Sequence, residues 1–269
     1  MTAFLKSFVA EIKKQHKNYF HSKTIYISLF LWPLLSFITT YYSFHSFDLS
    51  KSKVIYITTE NVVVYLLLGY MCMSFFRSLV QSAWRFSFER VSGTLELIYL
   101  SPTNRAAVLL GNAVSSLFES VIIMIFFTIS MLVMKNEVVI MKTIPGIVVF
   151  LLITGMAVLW GMFLNSLFLF SRDTDFLFTI LEEPMELFGG VKVPTTLFPL
   201  WAKAISVIFP LTYAIEAVRK VVLMGSSLYD IRGFVIIGFV IMGILLGAII
   251  IIIQIVERHV RRTGNLTLF

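Results

Sequence analysis

FSFERVSGTLELIYLSPTNR, residues 86–105, is a polar and charged island between two runs apolar enough to cross a bilayer. Residues 54–76 precede it, closed by Arg77, and residues 106–134 follow it. A helix needs about 20 mostly apolar residues to span roughly 30 Å of hydrocarbon, and both runs meet that length. Lipid admits only helices or closed barrels, because every backbone polar group must pair internally. Neither run alternates apolar with polar residues as a barrel strand does. The island therefore reads as a connection between two membrane helices, in an all-α polytopic membrane protein.

The rest of the chain agrees. It has 269 residues, 58% of them hydrophobic and only 14% charged, with a mean hydropathy of +0.89. No single soluble core takes up that much apolar surface. The net charge of +7 does not point to nucleic acid, since Lys and Arg gather at the ends of apolar runs rather than in an aromatic-interleaved patch. They read as topology signals and contacts to anionic lipid. The single cysteine, Cys72, lies inside an apolar run and reads as a buried, inert thiol with no intramolecular disulfide.

Residues 1–23 carry Lys6, Lys13, Lys14, Lys17 and Lys23, with Phe4, Leu5, Phe8, Val9, Ile12 and Phe20 near helical spacing. That pattern predicts a basic amphipathic helix lying on a membrane surface. The basic region is too long for a cleaved signal peptide, and no small-residue cleavage site follows the next apolar run.

Six spans are expected: residues 25–44, 54–76, 106–134, 144–170, a short and compromised run at 176–191, and 233–256. A tight polar turn at 171–175 separates the fourth from the fifth. Arg77 is expected to snorkel to the headgroups. Residues 192–230, broken by Pro194, Pro199 and Pro210, are expected to form short re-entrant helices dipping in from one side. The lysines before the first span, the arginines between the second and third, and the basic tail with Arg258, Arg261 and Arg262 then share one side, which predicts cytoplasmic termini. Failure of the fifth run to span would change that parity. Residues 1–269 read as one transmembrane domain, with the surface helix at 1–23, a cytoplasmic loop at 81–105 and the external re-entrant segment at 192–230.

Within the cytoplasmic loop, Phe88, Val91, Leu95 and Ile98 recur at three or four, so one face of a short helix packs while Glu89, Arg90 and Glu96 stay available. Ser101-Pro102 stops that helix, and Thr103 or Asn104 caps the next. Such a helix suits a groove on a cytoplasmic partner, and a solvated linker is the alternative.

The stretch ERVSGTLELIYLSPTNRAAVLLG resembles the cytoplasmic loop of the six-helix, type-two class of ABC export permeases, in which Glu-Arg, Gly-Thr-Leu-Glu and Ser/Thr-Pro follow in that order. FPLTYAIEAVRKVVL, residues 209–223, is similar to that family's segment before the last helix. The resemblance implies a homodimeric or heterodimeric path whose coupling helices sit in clefts on two cytoplasmic ATPase subunits. It assigns Phe88, Glu89, Arg90, Gly93, Thr94, Leu95 and Glu96 to the transmission of ATP-driven closure. The chain itself contains no G-x-x-x-x-G-K-[ST] phosphate loop, so ATP and Mg are expected on the partner subunit and no cofactor in this chain.

LEEPMELFGG places Glu182, Glu183 and Glu186 in one sector of the expected fifth span, around Pro184. Three central carboxylates oppose burial in lipid by about 8–10 kcal/mol. They must meet cations, line a wet cavity or share protons. One reading is an acidic translocation path or gate favouring cationic amphiphiles; the others are an ion-pair network with Arg or Lys of neighbouring helices, and proton coupling. Glu119, inside the third span, joins whichever holds. His16, His21, His45 and His259 lack metal-ligand spacing. Gly243 and Gly247 form a small-xxx-small step read as helix packing.

Together with that resemblance, the sequence implies the permease subunit of an ATP-driven exporter in the cytoplasmic membrane, moving a drug, peptide or lipid-linked saccharide. Its expected partners are two ATPases, a second permease copy or homologue and membrane lipids. The rival is a secondary transporter or channel using the intramembrane glutamates for proton or ion coupling.

Overall fold

Apolar runs as long as a bilayer is thick become helices because a helix satisfies its own backbone. The computed structural model describes residues 3–19, 23–45, 61–134, 143–168 and 174–263. Their α-helices are α1 Ala3–Tyr19, α2 Lys23–His45, α3 Val62–Val91, α4 Thr94–Leu100, α5 Arg105–Ser115, α6 Leu117–Met134, α7 Thr143–Phe168, α8 Thr174–Phe188, α9 Leu200–Ser206, α10 Pro210–Met224 and α11 Leu228–Thr263, with a 3-10 turn at Thr195–Leu197. No strand occurs among the described residues. The start of the second run and most of the turn after the fourth lie outside them.

Among the described residues, four segments are long and apolar enough to cross a membrane: Val62–Phe86, Arg105–Met131, Ile144–Leu167 and Leu228–Val256. The chain is thereby an all-α, multi-pass membrane protein. The expected short fifth run, residues 176–191, forms α8 with its bounds moved toward the N-terminus. Helix α8 has 15 residues, which is about 22 Å at 1.5 Å per residue, and it gives way to a turn through Gly189 and Gly190. The stretch that follows holds the short helices α9 and α10, as the prolines imply. Pro210 occupies the first position of α10, where its missing N–H has no intrahelical role.

Helix α3 is the hub, packing against α2, α6, α7, α8 and α10. Its outward end explains the junction that follows. The single amphipathic helix expected across residues 88–98 is instead divided: Phe88 and Glu89 belong to the last turns of α3, and α4 starts at Thr94. The break is at Gly93, whose φ of 70° is the left-handed conformation that L side chains disfavour. Ser101 then takes an extended conformation ahead of Pro102 and ends α4. Of the two caps the sequence offers, Asn104 is the one used: its side chain accepts from the Ala107 amide at 3.1 Å. Thr103 donates back to the Ile98 carbonyl at 3.0 Å.

Helix α1 lies against α5. Gly111 makes that approach possible, since a Cβ there would stand 2.9 Å from the Glu11 Cβ and 3.0 Å from the Phe8 carbonyl oxygen. Gly111→Val is expected to destabilise the protein by about 1–3 kcal/mol by overpacking. The check is a lowered thermal midpoint together with faster tryptic cleavage at Lys13 and Lys17.

Helix α11 packs on α7 and α10 and leaves Ile236, Phe239, Ile244 and Ile251 exposed. The packing expected of Gly243 and Gly247 is not found, because a Cβ on either would meet nothing within 4 Å. The close approach is made instead by Gly238, 2.6 Å from the Leu152 Cδ1 by the same measure, and by Gly155, 2.9 Å from the Met242 Sδ. Residue spacing finds a small-residue stripe but does not say which side of the helix faces a neighbour.

Candidate functional site

At the end of α3, Glu89 joins three helices. Its backbone carbonyl accepts from the Thr94 hydroxyl at 3.1 Å, and its carboxylate accepts from the same hydroxyl. The other carboxylate oxygen meets Lys14 Nζ at 2.9 Å, and Lys14 also reaches Glu11 at 2.9 Å. Burial pulls the Lys14 ammonium down, but Glu11 and Glu89 outweigh it and hold its pKa above the ordinary lysine value. Gln15 donates to the second oxygen of Glu11 at 2.7 Å. Helix α1, the end of α3 and the start of α4 are thus tied through one carboxylate.

Helix α4 shows apolar residues where water would be expected to select polar ones. Leu97 is 66% exposed and Leu100 83%, and Phe88 nearby is also exposed. Among the predicted coupling residues, Phe88, Glu89, Gly93 and Thr94 come together at this junction. Arg90, Leu95 and Glu96 lie on its backbone, with side chains outside the described set.

The four glutamates do not form one acidic sector. Glu182 pairs with Arg77 of α3. Glu186 pairs with Lys192 at 2.9 Å, in the connection after α8. Glu183, one position from Glu182, is exposed. Glu119 accepts two hydrogen bonds from Arg85, at 2.8 Å and 3.2 Å, and Arg85 stands 5.1 Å from the Tyr19 ring centroid. Of the readings the sequence left open, this geometry matches an ion-pair network. It also corrects the expectation for Arg77, which turns toward α8 to meet Glu182 rather than snorkelling to the headgroups. Helix α3 continues past it because the charge is neutralised in place.

A buried polar layer lies beside these pairs. The hydroxyls of Ser78 and Ser120 are paired, and Asn112 donates to the Asn165 side chain at 2.8 Å and the Ser82 carbonyl at 3.1 Å. These bonds link α3, α5, α6 and α7 and bias their register.

A cavity of about 500 Å³ opens between α2, α3, α6 and α8, with Tyr19 at one edge. Arg77, Gln81 and Arg85 supply its polar wall, and Trp32, Trp84 and Ile123 much of its apolar one. The two ion pairs are turned the same way. The Arg77 side chain is 28% exposed against 3% for Glu182, and Arg85 is 13% exposed against 2% for Glu119.

Arg219 of α10 is the site residue that sequence reasoning did not single out, although it lies within the quoted 209–223 segment. Fully buried, it donates to the carbonyls of Gly190 and Val191, each at 2.7 Å, and to that of Tyr65 at 3.3 Å. Its guanidinium lies 3.5 Å from the Tyr65 ring centroid. The chain just beyond α8 is thereby clamped to α3.

A family model described as ABC-2 type transporter matches residues 6–223, from α1 through α10. No curated protein matches the chain.

Proposed function

The chain belongs to the ABC-2 type transporter family as a membrane-embedded transport subunit that associates with ABC ATPases, and from that premise we propose that it is the permease of an exporter driven by ATP hydrolysis on those subunits. Two ATPases would act on two permease chains, each with α2 and α8 completing six spans and with both termini in the cytoplasm. ATP and Mg belong to the ATPase. The cargo class is amphipathic, in keeping with a cavity that has both charged and aromatic walls.

The observation that carries this reading is α4: a seven-residue helix at the end of a 30-residue rod, tied back by Glu89 and Lys14 and presenting Leu97 and Leu100 outward. A rigid rod with an apolar tip transmits displacement from a partner that grips the tip. Proton coupling finds less support, because Glu119, Glu182 and Glu186 each meet a cation.

The test is a photo-reactive amino acid at Leu100, illuminated in native membranes. The expected adduct is a nucleotide-hydrolysing protein, formed only from the cytoplasmic face. Adducts with lipid or with this chain alone would remove the proposal.

A further inference from the structure

The cavity between α2, α3, α6 and α8 exposes more cationic than anionic surface: Arg77 and Arg85 line it, and Glu119, the acid among its lining residues, is only 2% exposed. In each ion pair on its wall the carboxylate is covered and the guanidinium carries the exposure. Glu182 meets Arg77 at Nε, and a guanidinium has five N–H donors, more than that contact uses. Gln81 adds amide donors on the same wall, one helical turn from both Arg77 and Arg85. Around them stand Tyr19, Trp32, Trp84 and Phe88. The volume of about 500 Å³ falls within the range of small-molecule sites.

We propose that this cavity binds an amphiphile with a phosphate headgroup, the phosphate on Arg77 and Gln81 and the chain against Trp32, Trp84 and Ile123. Arginine suits phosphate because its planar fork gives two parallel charge-assisted bonds. Glu182 holds the Arg77 guanidinium from behind and Glu119 holds that of Arg85 at the cavity wall, and a cationic amphiphile would face those guanidiniums directly. The glutamates that read in the sequence as attracting cations therefore orient the groups that attract an anion. This deepens the export reading by naming the cargo class, and rests on it for the step from binding to transport.

The experiment uses the purified full chain in nanodiscs of zwitterionic lipid, without an ATPase, titrated with radiolabelled dodecyl phosphate. Saturable binding is expected, with dodecyltrimethylammonium failing to compete and inorganic phosphate competing only weakly, since it lacks a chain. Removing the pair with Arg77→Gln and Glu182→Gln together leaves no orphaned charge and should weaken binding about tenfold, the loss of one charge-assisted contact. If that double variant does not elute as folded protein, Gln81→Glu carries the test. It puts a carboxylate on the wall one helical turn from both guanidiniums, where it repels an anionic headgroup and competes for the arginines, and should give a loss at least as large.

Unchanged affinity in the folded variant, equal competition by the cation, or equal competition by inorganic phosphate would overturn the proposal. The last result would mark a free-anion site. Because no ATPase takes part, failure here is separable from failure of the cross-linking test at Leu100.

Discussion

Arg219→Ala is expected to destabilise the protein by about 3 kcal/mol or more. It removes the guanidinium that reaches the carbonyls of Tyr65, Gly190 and Val191, and a buried acceptor left unsatisfied costs about 1–3 kcal/mol. Water is a poor substitute there, because the cleft is sealed. Gly69 lies so close that a Cβ on it would stand 2.3 Å from the Val191 oxygen and 2.7 Å from the arginine. Lysine at 219 should recover only part of the loss, since an ammonium cannot address the three carbonyls as a planar fork does or stack equally on the Tyr65 ring. The thermal midpoint of purified protein, measured for wild type, Arg219→Lys and Arg219→Ala, should fall in that order. Equal midpoints for wild type and the alanine variant would show that the clamp contributes nothing.

The opposite pattern is expected on α4. Leu97→Asp combined with Leu100→Asp should leave stability within about 0.5 kcal/mol, as for other exposed positions without a structural role. Affinity for the ATPase should nonetheless fall at least about 30-fold, because an anchor at the centre of an interface is worth about 2 kcal/mol or more. Co-elution with the ATPase and stimulation of its hydrolysis should both be lost. A variant that folds normally and still binds and stimulates would show that these leucines only touch lipid. The contrast with Arg219 is informative in itself, since one change breaks the fold and the other only its connection to a motor.

Much of this architecture was legible in the chain because the bilayer imposes a simple rule. Apolar length alone placed the segments around α3, α5 with α6, α7 and α11, and the Ser101-Pro102 stop and Asn104 cap were read from local chemistry. What was not legible is azimuth, the direction in which a residue on a helix faces. Arg77 stands at the end of an apolar run and looks like a headgroup contact, yet it faces α8 and meets Glu182. Gly243 and Gly247 have packing spacing but face open space, while Gly238 and Gly155 make the contacts. The three glutamates of α8 share a sector by arithmetic. Even so, Glu182 turns inward, Glu186 meets Lys192 beyond the helix end, and Glu183 stays exposed. Partners supplied by distant parts of the chain decide such cases.

The pairing of Arg77 with Glu182 bears finally on how the chain enters its bilayer. Synthesis runs from the N-terminus, so α3 and its guanidinium emerge long before α8. A helix this short and acidic partitions poorly by itself, but it is born beside a countercharge already in position. Assembly of the later half is then templated by the earlier half, rather than being the independent insertion of separate segments.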